Sequence, residues 1–327
     1  MFKQKYRKIH RLLGVKRIGE KIDLTNKSLQ AIQTLQILHS LDLPEDVKQE
    51  FALQFYPNVS GEGIATLDDA QSCQNVKHYL SLVRPVVSPS LKLERVGDNN
   101  DGGYVMFAPP PIEANTINSQ PKALSLGVSP YSPWDLAMAN RGYKVMQYDA
   151  SIEKASHNHP NITFIKKFVG AQESHDTISF DFVVKSNNLN KDAHNIAQID
   201  IEDAEWDILE NIDLGAISPY FAQMLFEFHY CDPRNEALTS RRLKVLEKIL
   251  EFYTPIHTHF NHCGQAFCVP KALSAESKLY FWCSVVEVSY LRNDLIPKDA
   301  APKSGSGLIA GLDYPNLPNF PDLPIIF

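Results

Sequence analysis

From Lys122 onward the chain alternates short apolar runs of strand character with stretches whose apolar residues recur at helical spacing, and few folds admit that alternation. The runs at Ala123 to Val128, Tyr143 to Tyr148, Ile162 to Val169 and Gln198 to Ile201 read as successive strands. A helix from about Pro133 to Asn140 separates the first two, with proline suited to its first position. Strands joined in this way lie parallel in one sheet, with helices on both faces. Phe221 to Tyr230 reads as a buried strand. Asn235 to Tyr253 reads as a helix with an apolar stripe of Leu238, Leu243, Leu246, Ile249 and Leu250, and Thr254 to Phe260 and Leu279 to Tyr290 as the last two strands.

Ligands of such sheets bind at the carboxyl ends of the strands, so the residues that leave each strand are the ones to read for function. After the first strand comes Gly127-Val128-Ser129-Pro130, a turn with a single glycine. A full GxGxxG cradle is absent, which counts against a pyrophosphate-bearing dinucleotide and favours a cofactor without phosphate. Asp149 ends the second strand, where a carboxylate can accept two ribose hydroxyls. Asp200 and Glu202 end the fourth, and Asp203 occupies the expected N-cap of the following helix, Ile208, Leu209 and Ile212 marking its apolar side. Glu227 and His229 are two apart in a strand and share a face, and His259 is expected on the same rim. Carboxylates and histidines converging beside an adenosyl pocket suit removal of a proton from a hydroxyl.

The chain has 327 residues, 44% of them hydrophobic, enough for one large domain or two modest ones. Its net charge of −6 gives no reason to expect nucleic acid. No apolar run reaches the length of a membrane span and no secretory signal is evident, so a cytoplasmic location is expected. Residues 1–82 read as a helical N-terminal region and 83–327 as the α/β domain with a proline-rich tail. Residues 1–21 are basic and amphipathic, which suits peripheral contact with an anionic membrane or a solvated helix face. Five cysteines, mostly within apolar segments, argue for buried thiols rather than disulfides. His257, His259, His262, Cys263 and Cys268 lack the paired spacing of a zinc site, and no metal ligand set is predicted. The turn Asp101-Gly102-Gly103-Tyr104 is read evenly as a plain hairpin or as backbone approaching a ligand.

Between about Leu93 and Tyr290 these segments resemble, in order and spacing, the FkbM-like family of S-adenosylmethionine-dependent methyltransferases. The resemblance is carried by Ser125-Leu126-Gly127-Val128, Gln147-Tyr148-Asp149, Val169-Gly170 and Asp200-Ile201-Glu202-Asp203-Ala204-Glu205-Trp206. Asp101-Gly102-Gly103-Tyr104, Glu227-Phe228-His229 and Asp313-Tyr314-Pro315-Asn316 resemble a related branch. It implies a Rossmann-like class I methyltransferase fold, a seven-stranded and mostly parallel sheet with an antiparallel last strand, and O-methylation of a saccharide or natural product. Leu126, Gly127, Val128 and Ser129 would then line the methionine part of the cofactor, with Tyr148, Asp149 and Ala150 at its ribose and Val169 and Gly170 at the adenine. Asp200 would face the transferred methyl beside Glu202, with His229 or His259 as base and Glu227 close by. Two positions depart from the family pattern, which has glycine where this chain has Ser129 and Asp203.

Alternatives of other kinds accompany that expectation. One is a metal-assisted version in which Asp200, Glu202 or Glu227 holds Mg²⁺. Another is a methyltransferase-like binding module without catalysis, and a third is an NAD-type oxidoreductase. A small-molecule or glycan acceptor is the expected partner.

Overall fold

The computed structural model describes residues 64–109, 120–270, 273–274, 279–318 and 322–327. The basic amphipathic segment 1–21 and the helical pattern expected up to residue 63 lie outside them. Seven strands form the main sheet: β1 Lys122–Leu126, β2 Lys144–Tyr148, β3 Ile162–Ile165, β4 Ile196–Ile199, β5 Gln223–Phe228, β6 Tyr253–Phe260 and β7 Val286–Arg292. Their spatial order is β6-β7-β5-β4-β1-β2-β3. The pairings among β3, β2, β1, β4 and β5 are parallel, and β7 is antiparallel to both of its neighbours. The expected mixed α/β class and mostly parallel seven-stranded sheet are therefore present.

The helices are α1 Ala70–Leu82, α2 Pro133–Asn140, α3 Phe180–Ser186, α4 Ala204–Asn211, α5 Leu214–Ile217 and α6 Glu236–Leu250. None of the described helices is long and apolar enough to cross a membrane. Side chains alternate across a strand, so each strand sorts its residues between the two faces of the sheet. Leu124, Leu126, Ile199, Met224, Phe226, Phe228, Val288 and Tyr290 point to one face and join the main core with residues of α1, α4 and α6. Trp206 of α4 stacks on Phe228 with ring centroids 4.6 Å apart, and its indole N–H donates to the carbonyl of His229 at 2.9 Å. Burial of such a ring is worth about 3 kcal/mol, and the hydrogen bond fixes where β5 ends.

The opposite face is unusual in its polarity. Ala123, Val145, Ile196 and Leu225 pack there with Trp134 and Met138 of α2, but towards the carboxyl ends the same face carries Ser125, Gln198, Glu227, Glu287 and Ser289, all buried. A hairpin, Leu93–Val96 paired with Tyr104–Phe107, covers them. Gln223 holds it by imitating a strand: its Oε1 accepts from the Phe107 N–H and its Nε2 donates to the Phe107 carbonyl, both at 3.0 Å. Residues 312–317 tie down the turn of this hairpin. The Asp101 N–H donates to the Asn316 carbonyl at 3.0 Å, Asn100 Nδ2 to the Pro315 carbonyl at 2.7 Å, and Arg95 Nη1 to the Leu312 carbonyl at 3.2 Å.

Four expectations change in detail. The third strand stops at Ile165, and Phe168–Gly170 forms a separate two-stranded parallel sheet with Thr177–Ser179. A tight turn, in which the Lys167 N–H donates to the Ile165 carbonyl, redirects the chain between them. Leu279 to Tyr290 is likewise two strands, Tyr280–Cys283 and β7, broken at Ser284. Cys231 and Gln265 bracket that break, the Cys231 N–H donating to the Ser284 carbonyl and the Ser284 N–H to the Gln265 carbonyl. Tyr280–Cys283 pairs with Ala266–Val269, which pairs in turn with Ile64–Thr66. Residues 64–82, expected within a helical N-terminal region, thus contribute a strand and α1 to the body of the fold, and α1 packs on α6. Helix α6 itself is shorter than expected, capped by Asn235, whose side chain accepts from the Leu238 N–H, and Leu238 stays exposed.

Candidate functional site

The site is built where β1 and β4 end side by side. Gly127 has φ +81, and a Cβ there would lie 1.6 Å from the Asp200 carbonyl oxygen, so only glycine lets the two strand ends touch. Ser129, where the family pattern has a second glycine, has no positive φ. The substitution therefore costs the backbone nothing, and Ser129 Oγ accepts from the Tyr131 N–H at 3.1 Å. Asp149 braces the turn: Oδ2 accepts from the Val128 N–H at 2.9 Å, while Oδ1 accepts from both the N–H and the hydroxyl of Ser151 at 2.6 and 2.5 Å. Oδ1 is saturated by those two bonds, so Asp149 offers a lone pair for one hydroxyl at Oδ2 rather than for two.

Beside this turn opens a cleft that is continuous with solvent. Gly127, Ser129 and Asp200 form one wall, Asp101, Gly102 and Tyr104 of the hairpin turn another, and Trp134 and Asp135 of α2 a third. The Asp101-Gly102-Gly103-Tyr104 turn is a hairpin turn, and it also lines this cleft. Three carboxyl groups line the cleft, with no lysine or arginine among its described lining residues. Burial raises Asp101, with the Glu287 carboxylate adding to it. Burial also raises Asp135, to about 6, against a hydrogen bond from Gln147, and its buried Oδ1 has no hydrogen-bond partner among the described residues. The floor is a polar chain in which Ser125 Oγ donates to Gln198 Oε1 and Gln198 Nε2 donates to Tyr104 Oη, both at 3.1 Å. Asp135 lies outside any motif readable in the sequence, whereas Tyr104 belongs to the Asp101-Gly102-Gly103-Tyr104 turn.

At the Asp200 end the rim residues of β4 and β5 converge. Ligand atoms of Asp200, Glu227 and His229 all lie within 4.8 Å of one another, the one such metal-competent group among the described residues. His229 Nδ1 is 3.2 Å from Glu205 Oε1, which also accepts the His229 N–H at 2.8 Å. Glu205 is fully buried and anchors the ring from behind. His229 Nε2 faces three carboxylates, 3.6 Å from Glu227 and 3.7 Å from Asp200 and from Glu202. Burial raises Asp200 to about 7, partly opposed by His229, and raises Glu227 well above the usual carboxylate range, with Asp200 adding to it. Glu202 is exposed and has a left-handed backbone with φ 56.

Asp203 does not cap α4 with its side chain. Its φ of 92 turns the carboxylate away from the helix, where it accepts from Arg242 Nη2 at 2.9 Å, and Glu205 instead accepts the Asp203 N–H at 2.9 Å. This conformation strains any residue with a Cβ, and glycine would adopt it freely. Asp203→Gly is therefore expected to change stability by less than about 1 kcal/mol, relief of strain offsetting the lost ion pair, whereas Asp203→Ala keeps the strain, loses the pair and costs about 1–2 kcal/mol. Urea unfolding of the two variants separates these outcomes.

The remaining expected residues are dispersed. Leu126 and Val128 are buried core on either side of Gly127. Tyr148 points to the other face, its hydroxyl accepting from Asn187 Nδ2 at 2.7 Å, so it supports the sheet rather than a ligand. Ala150 follows Asp149 at the rim, half-buried. Val169 and Gly170 belong to the small parallel sheet, which packs on α4. His259 is 2% exposed and lies between Glu287, 3.4 Å from Nδ1, and Asp322, 3.1 Å from Nε2. Burial opposes its protonation, yet these two carboxylates raise it to about 10. It is held as the cation at neutral pH and cannot act as a base. His257 pairs with Asp313 at 2.8 Å, and all five cysteines are free thiols.

The His259 cluster carries a pH signature. A histidine whose pKa is raised on folding contributes stability that is present below about pH 6.5 and is lost as the pH climbs through about 10. Glu287, held low by His259 against its burial, loses its contribution on the acid side. The cluster, with the His257 ring stacked 6.5 Å away and His262 nearby, supports the fold most below about pH 6.5, down to the acid range in which Glu287 is protonated, and progressively less as the pH climbs towards 10. His259→Gln is expected to cost about 3 kcal/mol at pH 7, because it strands the buried Glu287 and the half-buried Asp322. The gap from the parent should close above pH 10, as thermal melts across pH would show.

No protein-family model matches the chain, and no curated protein matches it.

Proposed function

We propose that the chain is an S-adenosylmethionine-dependent methyltransferase acting on a hydroxyl group, of a saccharide or natural product as the family resemblance implies. The observation that carries this reading is the charge of the cleft. Asp101, Asp135 and Asp200 beside the Gly127 turn suit a ligand bearing positive charge, and S-adenosylmethionine brings both a sulfonium and an ammonium. The same lining offers the pyrophosphate of NAD no lysine or arginine among the described residues. Further support comes from the sheet order and its antiparallel β7, which agree with the class I architecture the resemblance implies, and from Asp149 standing one strand away from the glycine turn.

When bound, S-adenosylmethionine supplies an electrophilic methyl carbon and leaves as the neutral thioether. The residues of the chain do the rest. The Gly127 turn and Asp101 hold the amino-acid end, and Asp149 Oδ2 takes one ribose hydroxyl. Asp200 stands at the junction between the cleft and the cluster with Glu227 and His229, where an acceptor hydroxyl gives up its proton. His259 takes no part, being protonated and enclosed.

Calorimetry with S-adenosylmethionine and S-adenosylhomocysteine tests the reading. One site per chain is expected for each ligand, with no heat from NAD. Asp101→Asn is expected to weaken S-adenosylmethionine about tenfold, equivalent to about 1.4 kcal/mol. Absence of binding by either adenosyl ligand would sink the proposal.

A further inference from the structure

We propose that Asp200, Glu227 and His229 form a divalent-cation site at the end of the cleft, matched to a first-row ion of the Mn²⁺ type. Two carboxylates and one imidazole make a mixed oxygen and nitrogen set, which such ions accept and which Ca²⁺ and Mg²⁺, with their preference for oxygen alone, fit less well.

Several independent features point to a ligand between these groups. His229 is 7% exposed, and its Nε2 faces the carboxylates of Asp200, Glu202 and Glu227. The gaps of 3.6 and 3.7 Å from Nε2 to the carboxylate oxygens are too long for hydrogen bonds. They approach the separation of roughly 3–4 Å that two ligand atoms have when each sits about 2.1 Å from one ion. The orientation of the ring is settled from behind. Glu205, buried and fixed by two backbone N–H groups, takes Nδ1–H and leaves the Nε2 lone pair facing the carboxylates, the arrangement of a carboxylate supporting a metal-bound histidine. Strand register adds a third feature. Glu227 is directly opposite Glu287 in the β5–β7 pairing, where like charges are unfavourable. Glu287 is compensated by His259 and by Asn316, but among the described residues Glu227 has one hydrogen bond, from Asn261 Nδ2 at 2.9 Å, and no cationic side chain other than His229. A cation between Glu227, Asp200 and His229 supplies the missing charge. Glu202, exposed and 3.7 Å from Nε2, is within reach as a further ligand.

The role of the ion in catalysis rests on the methyltransferase reading, although its binding does not. An acceptor hydroxyl bound to the ion loses its proton more easily. Its oxygen then forms the new bond to the methyl carbon as the carbon–sulfur bond breaks, the bonding pair staying on sulfur, and the proton passes to solvent.

The test is a Mn²⁺ titration of the metal-stripped chain, followed by electron paramagnetic resonance and calorimetry, in parallel with Asp200→Asn. The Asp200 carboxylate makes no hydrogen bond among the described residues, so this variant is expected to fold. The parent is expected to bind one Mn²⁺ and to melt higher in its presence. Asp200→Asn is expected to bind it at least tenfold more weakly and to lose the metal-dependent rise in melting temperature, while melting no lower than the parent without metal. Equal Mn²⁺ binding by the two proteins, or no binding by the parent, would overturn the site. Titration with S-adenosylhomocysteine in EDTA separates the two proposals, since heat there leaves the cofactor reading standing whatever Mn²⁺ does.

Discussion

Gly127→Ala is expected to be the most damaging single substitution in the molecule, costing about 4 kcal/mol of folding stability and abolishing adenosyl-ligand binding. Two penalties combine. The backbone at φ +81 resists any side chain, and the added Cβ would sit 1.6 Å from the Asp200 carbonyl, which belongs to backbone and cannot swing aside. The Asp200 N–H donates to the Leu126 carbonyl at 2.9 Å, so parting the two strand ends also breaks the last rung between β1 and β4. Guanidinium unfolding would read the first effect and calorimetry with S-adenosylhomocysteine the second. A variant that unfolds at the parent's denaturant concentration would mean that the two turns are not in contact in solution.

His229→Ala is expected to lower methyl transfer by about 10² to 10⁴-fold whether the imidazole removes a proton itself or holds an ion that acidifies the hydroxyl. Its distinguishing mark is what it leaves alone. His229 is absent from the lining of the cleft proposed for the adenosyl ligand, so affinity for S-adenosylhomocysteine should change by less than about threefold, or about 0.7 kcal/mol. Single-turnover kinetics set beside calorimetry would separate the two quantities. Equal losses in turnover and in cofactor affinity would place His229 in cofactor binding and remove it from the chemistry.

Much of this geometry is legible in the sequence because it follows from strand periodicity. Asp149, Asp200, Glu227 and His229 each leave a strand on the same face, and parallel pairing brings them to one rim without any knowledge of packing. The breaks at Lys166 and Ser284 are different in kind. Apolar residues continue on both sides of each, and a turn made by backbone hydrogen bonds leaves no mark on hydrophobic pattern. The exchange of roles between Asp203 and Glu205 was hidden for a related reason. Aspartate at a helix start reads as a cap, and only the positive φ, set by the close turn after Asp200, shows that its side chain faces Arg242 instead. His259 illustrates a further limit. Its strand position puts it near the rim, but the carboxylates that neutralise its usefulness as a base come from Glu287 and Asp322, distant in the chain. The acidity of the cleft was hidden too, since Asp101, Asp135 and Asp200 come from three separate elements.

The bonds from residues 312–317 to the hairpin turn have a temporal meaning. During synthesis, β1 to β5 and both glycine turns leave the ribosome well before Asn316 does, and until it arrives the Asp101 wall lacks the carbonyl that anchors it. A nascent chain can thus assemble most of its sheet while the Asp101 wall of the cleft still lacks its anchor. The same dependence makes the region around Asn316 the wrong place to fuse a reporter or admit a protease, even though Asp200 and His229 lie far away along the chain.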